Sequence, residues 1–495
     1  MIENIKAAHR CDGYKTGHVF QYPKNTQYIN SNFTPRKSRV DGVDKVLFVG
    51  MQYFILEHLI DSWNKTFFNL PFDEVISAYK RRMRNYVADL DTTHIEKLHK
   101  LGYLPIRIKA LPEGTLCPIG VPVFTITNTN PDFGWLPNYL ETMISNIMWK
   151  PITSATTAYQ YRKNFEEAAK ITGYSKDMVK WQGHDFSYRG MSPFEDALVS
   201  GFGHLCCFTG TDTIPSIDFC ELFYGADSDK ELIGGTIPAT EHSVMCLNAE
   251  YSDTARPDEY NSIKRLLEEV YPSGFFSMVS DSFDFWKVLT YYLKIFKVKI
   301  MEREGRLVVR PDSGDPIKII CGDPDSEIEH IRKGAYECLW DIFGGTTNEK
   351  DFKFLDSHIG LIYGDAISLQ KQKIILDKLI EKGFAPSNLV LGIGSYTYQY
   401  VTRDTYGFAM KATWGVVDGV EKEIFKDPLT DRGFKKSARG LLMVYRDENG
   451  EIKLKDRCTK EEEATGLLEV VFEDGKLMKT TTLAEIRNRV DSYFN

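Results

Sequence analysis

Seven residues, Arg310-Pro-Asp-Ser-Gly-Asp-Pro316, place a cation, two carboxylates and a glycine directly behind the apolar run Leu307-Val308-Val309. A cation can grip an anion, and a glycine lets a bound group approach the backbone. Three further segments have the same form: Ser277-Met-Val-Ser-Asp-Ser282, Ile359-Gly-Leu-Ile-Tyr-Gly-Asp365 and Leu389-Val-Leu-Gly-Ile-Gly-Ser395. Each reads as a short apolar strand that breaks into Gly, Asp or Ser before a helical pattern. Repeated units of strand, polar tip and helix are the sequence form of a β/α barrel, whose chemistry sits at the carboxyl ends of its strands. Function is expected at these tips.

The tips need a scaffold, and the patterning along the chain predicts one. From Met1 to about Lys150 the pattern is mixed, with a polar N-terminal segment, helical stretches at 47–64 and 73–86, and strands at 106–110 and 123–127. From Pro151 helix and strand alternate, with helices predicted near 154–171, 194–206, 259–270, 328–343 and 369–382. After about Gly407 strands and turns return, including Asp447-Glu-Asn-Gly450, whose Asn-Gly pair signals a hairpin. The expected organisation is a β-rich domain from 1–150 together with 405–495, and an α/β barrel from 151–404.

Composition narrows the class of protein. The chain has 495 residues, 42% of them hydrophobic, and a net charge of −8, which argues against a general nucleic-acid surface. Basic residues nevertheless gather at Arg432, Lys435, Lys436 and Arg439, as in a local anion site or a solvated charged loop. The most apolar run, Val288 to Ile300, is interrupted by Lys294, Lys297 and Lys299, and the N-terminus has no signal-type apolar core, so a soluble cytoplasmic protein is expected. Nine cysteines without CxxC spacing predict free, mostly buried thiols.

Common nucleotide motifs fail. Gly392-Ile-Gly394 has Thr397 where a dinucleotide fingerprint needs its third glycine, and neither GxxxxGK[ST] nor HExxH occurs. What remains is an ordered set: Asp12-Gly-Tyr-Lys15, Gln21-Tyr-Pro23, His184-Asp-Phe-Ser-Tyr-Arg-Gly190, Gly210-Thr-Asp-Thr213, Pro238-Ala-Thr-Glu-His-Ser243, Ser280-Asp-Ser282, Arg310-Pro-Asp-Ser-Gly314, Gly364-Asp365, Thr402-Arg-Asp404 and Phe425-Lys-Asp-Pro428. Any one segment is weak, but in this register the chain resembles the nicotinamide phosphoribosyltransferase family along nearly its whole length. The resemblance implies the type II phosphoribosyltransferase fold, an irregular β/α barrel packed on a β-rich domain formed from both chain ends. It also implies a homodimer with two active sites at the subunit interface.

The implied reaction moves phosphoribose from phosphoribosyl pyrophosphate to the ring nitrogen of nicotinamide, in NAD salvage, with Mg²⁺ and with ATP as a coupling substrate. The nucleophile is a neutral pyridine, so no general base is needed; the site must hold a flat ring, grip a polyanion and stabilise positive charge. In the family, Phe186 and the partner subunit's Tyr14 sandwich the ring, with Asp12 nearby. Asp212 accepts from the carboxamide and repels nicotinate, and Ser277 and Arg310 complete the amide site. Phosphate and ribose positions are Arg189, Gly364, Asp365, Gly392, Gly394, Ser395, Arg36, Arg403, Lys411, Lys426 and Lys435. His242 is the histidine phosphorylated by ATP, Asp281 orients it, Glu241 adjoins it, and Asp312 is a carboxylate for ribose or for Mg²⁺ held through the pyrophosphate. No metal ligand set is assigned.

Three departures from the family pattern stand near the expected phosphate and ribose contacts: Ala366 and Tyr396 replace glycines, and Ala409 stands where a serine hydroxyl would help. The alternatives are a nicotinate phosphoribosyltransferase, against which Asp212 argues, and a catalytically idle binding or signalling relative, which has no need for His242, Asp281, Arg310, Asp312 and Asp212 together.

Overall fold

The computed structural model describes residues 5–251, 256–364, 366–426 and 438–495. All four apolar stretches form parallel strands: Phe276–Val279, Leu307–Arg310, Ile359–Tyr363 and Leu389–Ile393. They are buried almost throughout, as strands covered on both faces must be. With two very short strands, Gly183–Asp185 and Gly210–Thr211, they make a six-stranded sheet that runs from Gly210–Thr211 at one edge to Phe276–Val279 at the other.

Irregular chain, residues 235–240, bridges the two edges. Thr211 N donates to Gly235 O (3.0 Å), Gly235 N to Thr209 O (2.9 Å), Ser277 N to Pro238 O (2.8 Å) and Thr240 N to Ser277 O (3.0 Å). Thr240 Oγ1 accepts from Val279 N at 2.9 Å. The wall of the barrel therefore closes through a segment without a regular ladder, in line with the irregular barrel that the family resemblance implies.

The second sheet is antiparallel and seven-stranded, and it draws on both ends of the chain. Its order is Val420–Glu423, Phe408–Val417, Thr26–Pro35, Phe124–Asn128, Ile106–Ala110, Glu469–Glu473 and Lys476–Leu477. Thr26–Pro35, near its middle, carries little hydrophobic signal because its buried positions include Asn30, Ser31, Asn32 and Thr34. Several of their polar groups bond within the sheet, for example Asn32 Nδ2 to Lys411 O (3.0 Å) and Thr34 Oγ1 to Asn32 Oδ1 (2.7 Å), while Asn30 Oδ1 is buried without a partner among the described residues.

Several predicted boundaries move. The stretch 47–64 begins as a strand, Lys45–Phe48, before its helix starts at Met51. The helix at 328–343 is two, Glu329–Lys333 and Ala335–Phe343, because Gly334 takes φ 85° and ψ 164°, outside the helical region, where it packs so closely on Gly322 that a Cβ would stand 2.2 Å from Gly322 N. No break falls at 150: one helix of 37 residues, Leu136–Thr172, runs through Pro151. Its first half packs through Leu136, Met143 and Met148 into the core under the antiparallel sheet, and its second half through Ala158, Tyr161 and Phe165 into the barrel core. The last helix, Leu483–Asp491, likewise buries Leu483, Ile486 and Val490 in the barrel core. Their helical spacing gives that helix one apolar face, and Arg487 ties it to Leu205 O at 2.7 Å.

All nine cysteines are free, and seven are buried. Among the described residues no helix is long and apolar enough to cross a membrane.

Candidate active site

Strand register brings the first pair of tips together. Val279 lies opposite Arg310, so Asp281 meets the start of the Asp312 loop, and its Oδ2 accepts from Asp312 N (3.0 Å) and the Ser313 hydroxyl (2.6 Å). The other oxygen, Oδ1, is 3.2 Å from His242 Nε2. His242 opens the helix His242–Asn248 immediately after the segment that closes the barrel. Asp281 is 4% exposed and the imidazole 50% exposed. A carboxylate only accepts, so Nε2 carries the hydrogen and Nδ1 offers its lone pair outward. Glu241 is turned away from this pair, its carboxylate accepting from the Ser243 hydroxyl.

The second group surrounds Phe186. Its backbone N donates to Ile393 O (3.0 Å), and the Arg310 guanidinium lies 5.5 Å from its ring centroid. Arg310 Nη2 also reaches Asp312 Oδ2 at 3.3 Å. Two glycines make room for the ring: a Cβ on Gly392 would sit 2.6 Å from Phe186 Cδ2 and 2.8 Å from Gly364 Cα, and one on Gly364 would sit 3.1 Å from Asp312 Oδ1. Ser277 Oγ and Arg310 Nε are buried and find no hydrogen-bond partner within the described chain.

Asp212 follows Gly210–Thr211, its N donating to Asp185 O at 3.0 Å. Its Oδ1 is 2.9 Å from His184 Nε2, and the His184 ring lies 4.5 Å from that of Phe186. Burial pushes the Asp212 carboxyl up, but the hydrogen bond and charge of His184, with Thr236 and Arg310, hold it below the usual carboxylate range. Sequence reasoning missed His184 and Ser313. The signal for His184 was its place two residues before Phe186, the alternation that puts two side chains on one side of extended chain.

The remaining positions divide. Arg189 is exposed on a turn that packs on the next tip, since a Cβ on Gly190 would be 2.5 Å from Ser395 Cβ. A Cβ on Gly394 would meet nothing within 4 Å. Arg36 bonds to Gly407 O through Nε (3.3 Å), which sets it beside the turn Arg403–Thr405, and Lys411 is exposed on the adjoining strand. Lys426 is exposed. Asp365 and Lys435 lie outside the described residues. Asp12 and Tyr14 are not brought to Phe186 within this chain. Asp12 accepts from the Thr142 hydroxyl (2.8 Å), and Tyr14, 63% exposed, has its ring against His18. Ala366 has a φ of 50°, a left-handed conformation costly to a residue with a Cβ; Tyr396 stacks on Tyr400, and Ala409 is buried in the sheet.

Beyond these, Glu259 is buried at 2% exposure, and burial, then Asp258 and Asp281, push its carboxyl up to about 7. Among the described residues no group of three or more His, Cys, Asp or Glu could hold a metal ion.

Residues 181–476 match the nicotinate phosphoribosyltransferase (NAPRTase) family and residues 6–108 the nicotinamide phosphoribosyltransferase N-terminal domain. A protein of Acinetobacter baylyi is 49% identical over 504 aligned residues, covering 99% of this chain and 98% of the relative. One of Xanthomonas campestris is 29% identical, with 97% of each chain covered. Both are called nicotinamide phosphoribosyltransferase. Among solved structures, nicotinate-nucleotide pyrophosphorylase from Pyrococcus furiosus aligns with a TM-score of 0.59 at 16% identity, over 99% of this chain and 95% of that one. Human nicotinic acid phosphoribosyltransferase aligns with a TM-score of 0.52 at 15% identity, over 97% and 93%. Those two likenesses are of fold, that of the type II phosphoribosyltransferases.

Proposed function

The chain belongs to the nicotinamide phosphoribosyltransferase family, enzymes of NAD salvage, and from that premise we propose that it joins nicotinamide to phosphoribose with ATP coupling through His242. The observation that carries the substrate reading is the slot beside Phe186. It offers an aromatic face with the Arg310 guanidinium over it, whose buried Nε has no partner among the described residues, and the Asp212 carboxylate as an acceptor; Ser277, on the strand paired with that of Arg310, carries a second buried, unpartnered polar atom. A carboxamide suits that set, its oxygen taking hydrogen bonds from Ser277 and Arg310 and its NH₂ donating to Asp212. A carboxylate would meet the charge of Asp212 instead. This favours nicotinamide over nicotinate, although one of the two matched family models and both structural neighbours are named for nicotinate or nicotinic acid.

In the transfer, the pyridine nitrogen forms its bond to the anomeric carbon while the carbon–oxygen bond to pyrophosphate breaks, the electron pair leaving with pyrophosphate. Phe186 and Arg310 hold the ring for that approach, and no proton is removed. Arg189, Arg36, Arg403, Lys411, Lys426 and Lys435 are the cations for the phosphates, several of them reaching the site of a second copy. Asp12 and Tyr14, turned away from their own Phe186, fit the same arrangement, a homodimer in which each subunit completes the other's site. Mg²⁺ bound to the pyrophosphate would neutralise leaving-group charge; with no side-chain cage among the described residues, Asp312 is the carboxylate of this chain that would hold it.

His242 Nδ1 attacks the γ-phosphorus of ATP, forming the nitrogen–phosphorus bond as the bond to the ADP oxygen breaks; later hydrolysis of the phosphohistidine releases phosphate. Asp281 is a positioning residue for this step. The test is mononucleotide formation from phosphoribosyl pyrophosphate and Mg²⁺ with nicotinamide or nicotinate offered separately, each with and without ATP. Turnover of nicotinamide, faster with ATP, is expected. Turnover of nicotinate alone overturns the reading of Asp212, and turnover of neither leaves an idle relative.

A further inference from the structure

We infer that His184 sets how Asp212 reads the substrate: it fixes one carboxylate oxygen and, through its own charge, governs how strongly the site repels a pyridine carboxylate. This rests on the reading of Asp212 given above. His184 and Gly210 are register partners on neighbouring parallel strands. A Cβ on Gly210 would stand 2.8 Å from His184 Nδ1, so the imidazole lies across that strand, where only glycine leaves it space. From there Nε2 reaches Asp212 Oδ1 at 2.9 Å, with the imidazole 9% exposed and the carboxylate 44% exposed. The imidazole is part of the wall, and the carboxylate faces outward from it.

Both partners are fixed. Asp212 is tied by its backbone N to Asp185 O (3.0 Å), and the His184 ring is tilted against Phe186 at 4.5 Å, so it cannot swing without moving the aromatic platform. With Oδ1 held, Oδ2 is the oxygen for the carboxamide NH₂. When the imidazole is neutral, the His184–Asp212 pair carries one negative charge and repels nicotinate; when the imidazole is protonated, the pair is neutral and the repulsion is lost. Arg310 also faces Asp212, while Asp185 and the buried His204 interact with one another beside His184. Arg310 attracts a carboxylate more than a carboxamide, but it keeps its charge throughout the pH range used, and burial holds His204 down to about 4, so neither makes the preference change with pH in that range.

The experiment measures kcat/KM for nicotinamide and for nicotinate from about pH 6 to about pH 8.5, in the wild type, His184→Gln, His184→Ala and Asp212→Ser. Taking the ratio cancels titration of phosphoribosyl pyrophosphate and of His242. In the wild type the preference for nicotinamide should fall about tenfold or more as the pH drops, the scale of one hydrogen bond to a charged group. His184→Gln still donates but bears no charge, so it should recover most of what His184→Ala loses while its ratio no longer changes with pH. His184→Ala should raise KM for nicotinamide about tenfold with little change in kcat, as loss of an orienting hydrogen bond does. A ratio that depends on pH as strongly in His184→Gln as in the wild type, or not at all in the wild type, overturns the inference. If Asp212→Ser leaves the ratio unchanged, the reading of Asp212 itself fails; if Asp212→Ser moves it and the His184 variants do not, only the role of His184 fails.

Discussion

Asp281→Asn keeps the shape of a side chain on which three donors converge, and removes its charge. His242 Nε2 is 3.2 Å from one carboxylate oxygen, while Asp312 N (3.0 Å) and the Ser313 hydroxyl (2.6 Å) share the other. The single oxygen of asparagine must serve Asp312 and Ser313, so its NH₂ turns to His242. Nε2 then has to accept, the ring hydrogen moves to Nδ1, and the lone pair proposed to attack ATP is lost. A hydrogen bond to a charged group contributes about 1.5–3 kcal/mol. The imidazole is 50% exposed, and solvent screening brings this to about 1–2 kcal/mol, or about a 5- to 30-fold loss of rate. The assay follows ATP hydrolysis, protein-bound label from γ-labelled ATP, and mononucleotide formation with and without ATP. Hydrolysis and label should fall by that factor while ATP-independent transfer changes by less than about twofold. His242→Ala, which should retain no label, sets the floor. Wild-type ATP hydrolysis in Asp281→Asn would refute the orienting role, and an equal loss with and without ATP would place Asp281 at the sugar-phosphate instead.

Two further outcomes follow from packing and from titration. Gly392→Ala puts a methyl group 2.6 Å from Phe186 Cδ2 and 2.8 Å from Gly364 Cα, so the ring must shift; KM for nicotinamide should rise about tenfold, with a stability loss of about 1–3 kcal/mol. An unchanged KM would show that Phe186 does not define the slot. For Glu259, a carboxyl raised from 4.5 to about 7 stabilises the fold fully below pH 4.5, and that contribution is lost as the pH rises through 7. Glu259→Gln should therefore melt higher than the wild type at about pH 8, by on the order of 2 kcal/mol, with the gap closing at about pH 5. Identical melting at both values would show that burial does not perturb this carboxyl.

Much of the barrel could be read from sequence because its strands are buried almost throughout: Leu307-Val308-Val309 and Leu389-Val-Leu391 are apolar runs with abrupt polar ends. The strands Gly183–Asp185 and Gly210–Thr211 span three and two residues, too short to show any period. Thr26–Pro35 hid for a different reason: beside the buried Ile29 and Phe33, its other buried positions include hydrogen-bonded Asn30, Asn32 and Thr34, which blur the apolar alternation. Pro151 reads as a helix breaker, yet packing on both sides carries the helix past it. Within the site, the pairing of His242 with Asp281 and the place of Phe186 followed from motif register. The His184–Asp212 contact is a matter of two adjacent strands, and spacing along one chain does not encode it.

The helix Leu136–Thr172 has a consequence for how the molecule comes apart. At 1.5 Å per residue its 37 residues make a rod roughly 55 Å long, and the handover between its two partners falls between Ile152 and Ala155, in mid-helix. Neither sheet can shed its half of the rod without exposing the buried face of a helix that the other still grips. Melting that begins in either layer therefore propagates along one continuous ladder of backbone hydrogen bonds into the next, and two architecturally distinct layers share a single cooperative transition.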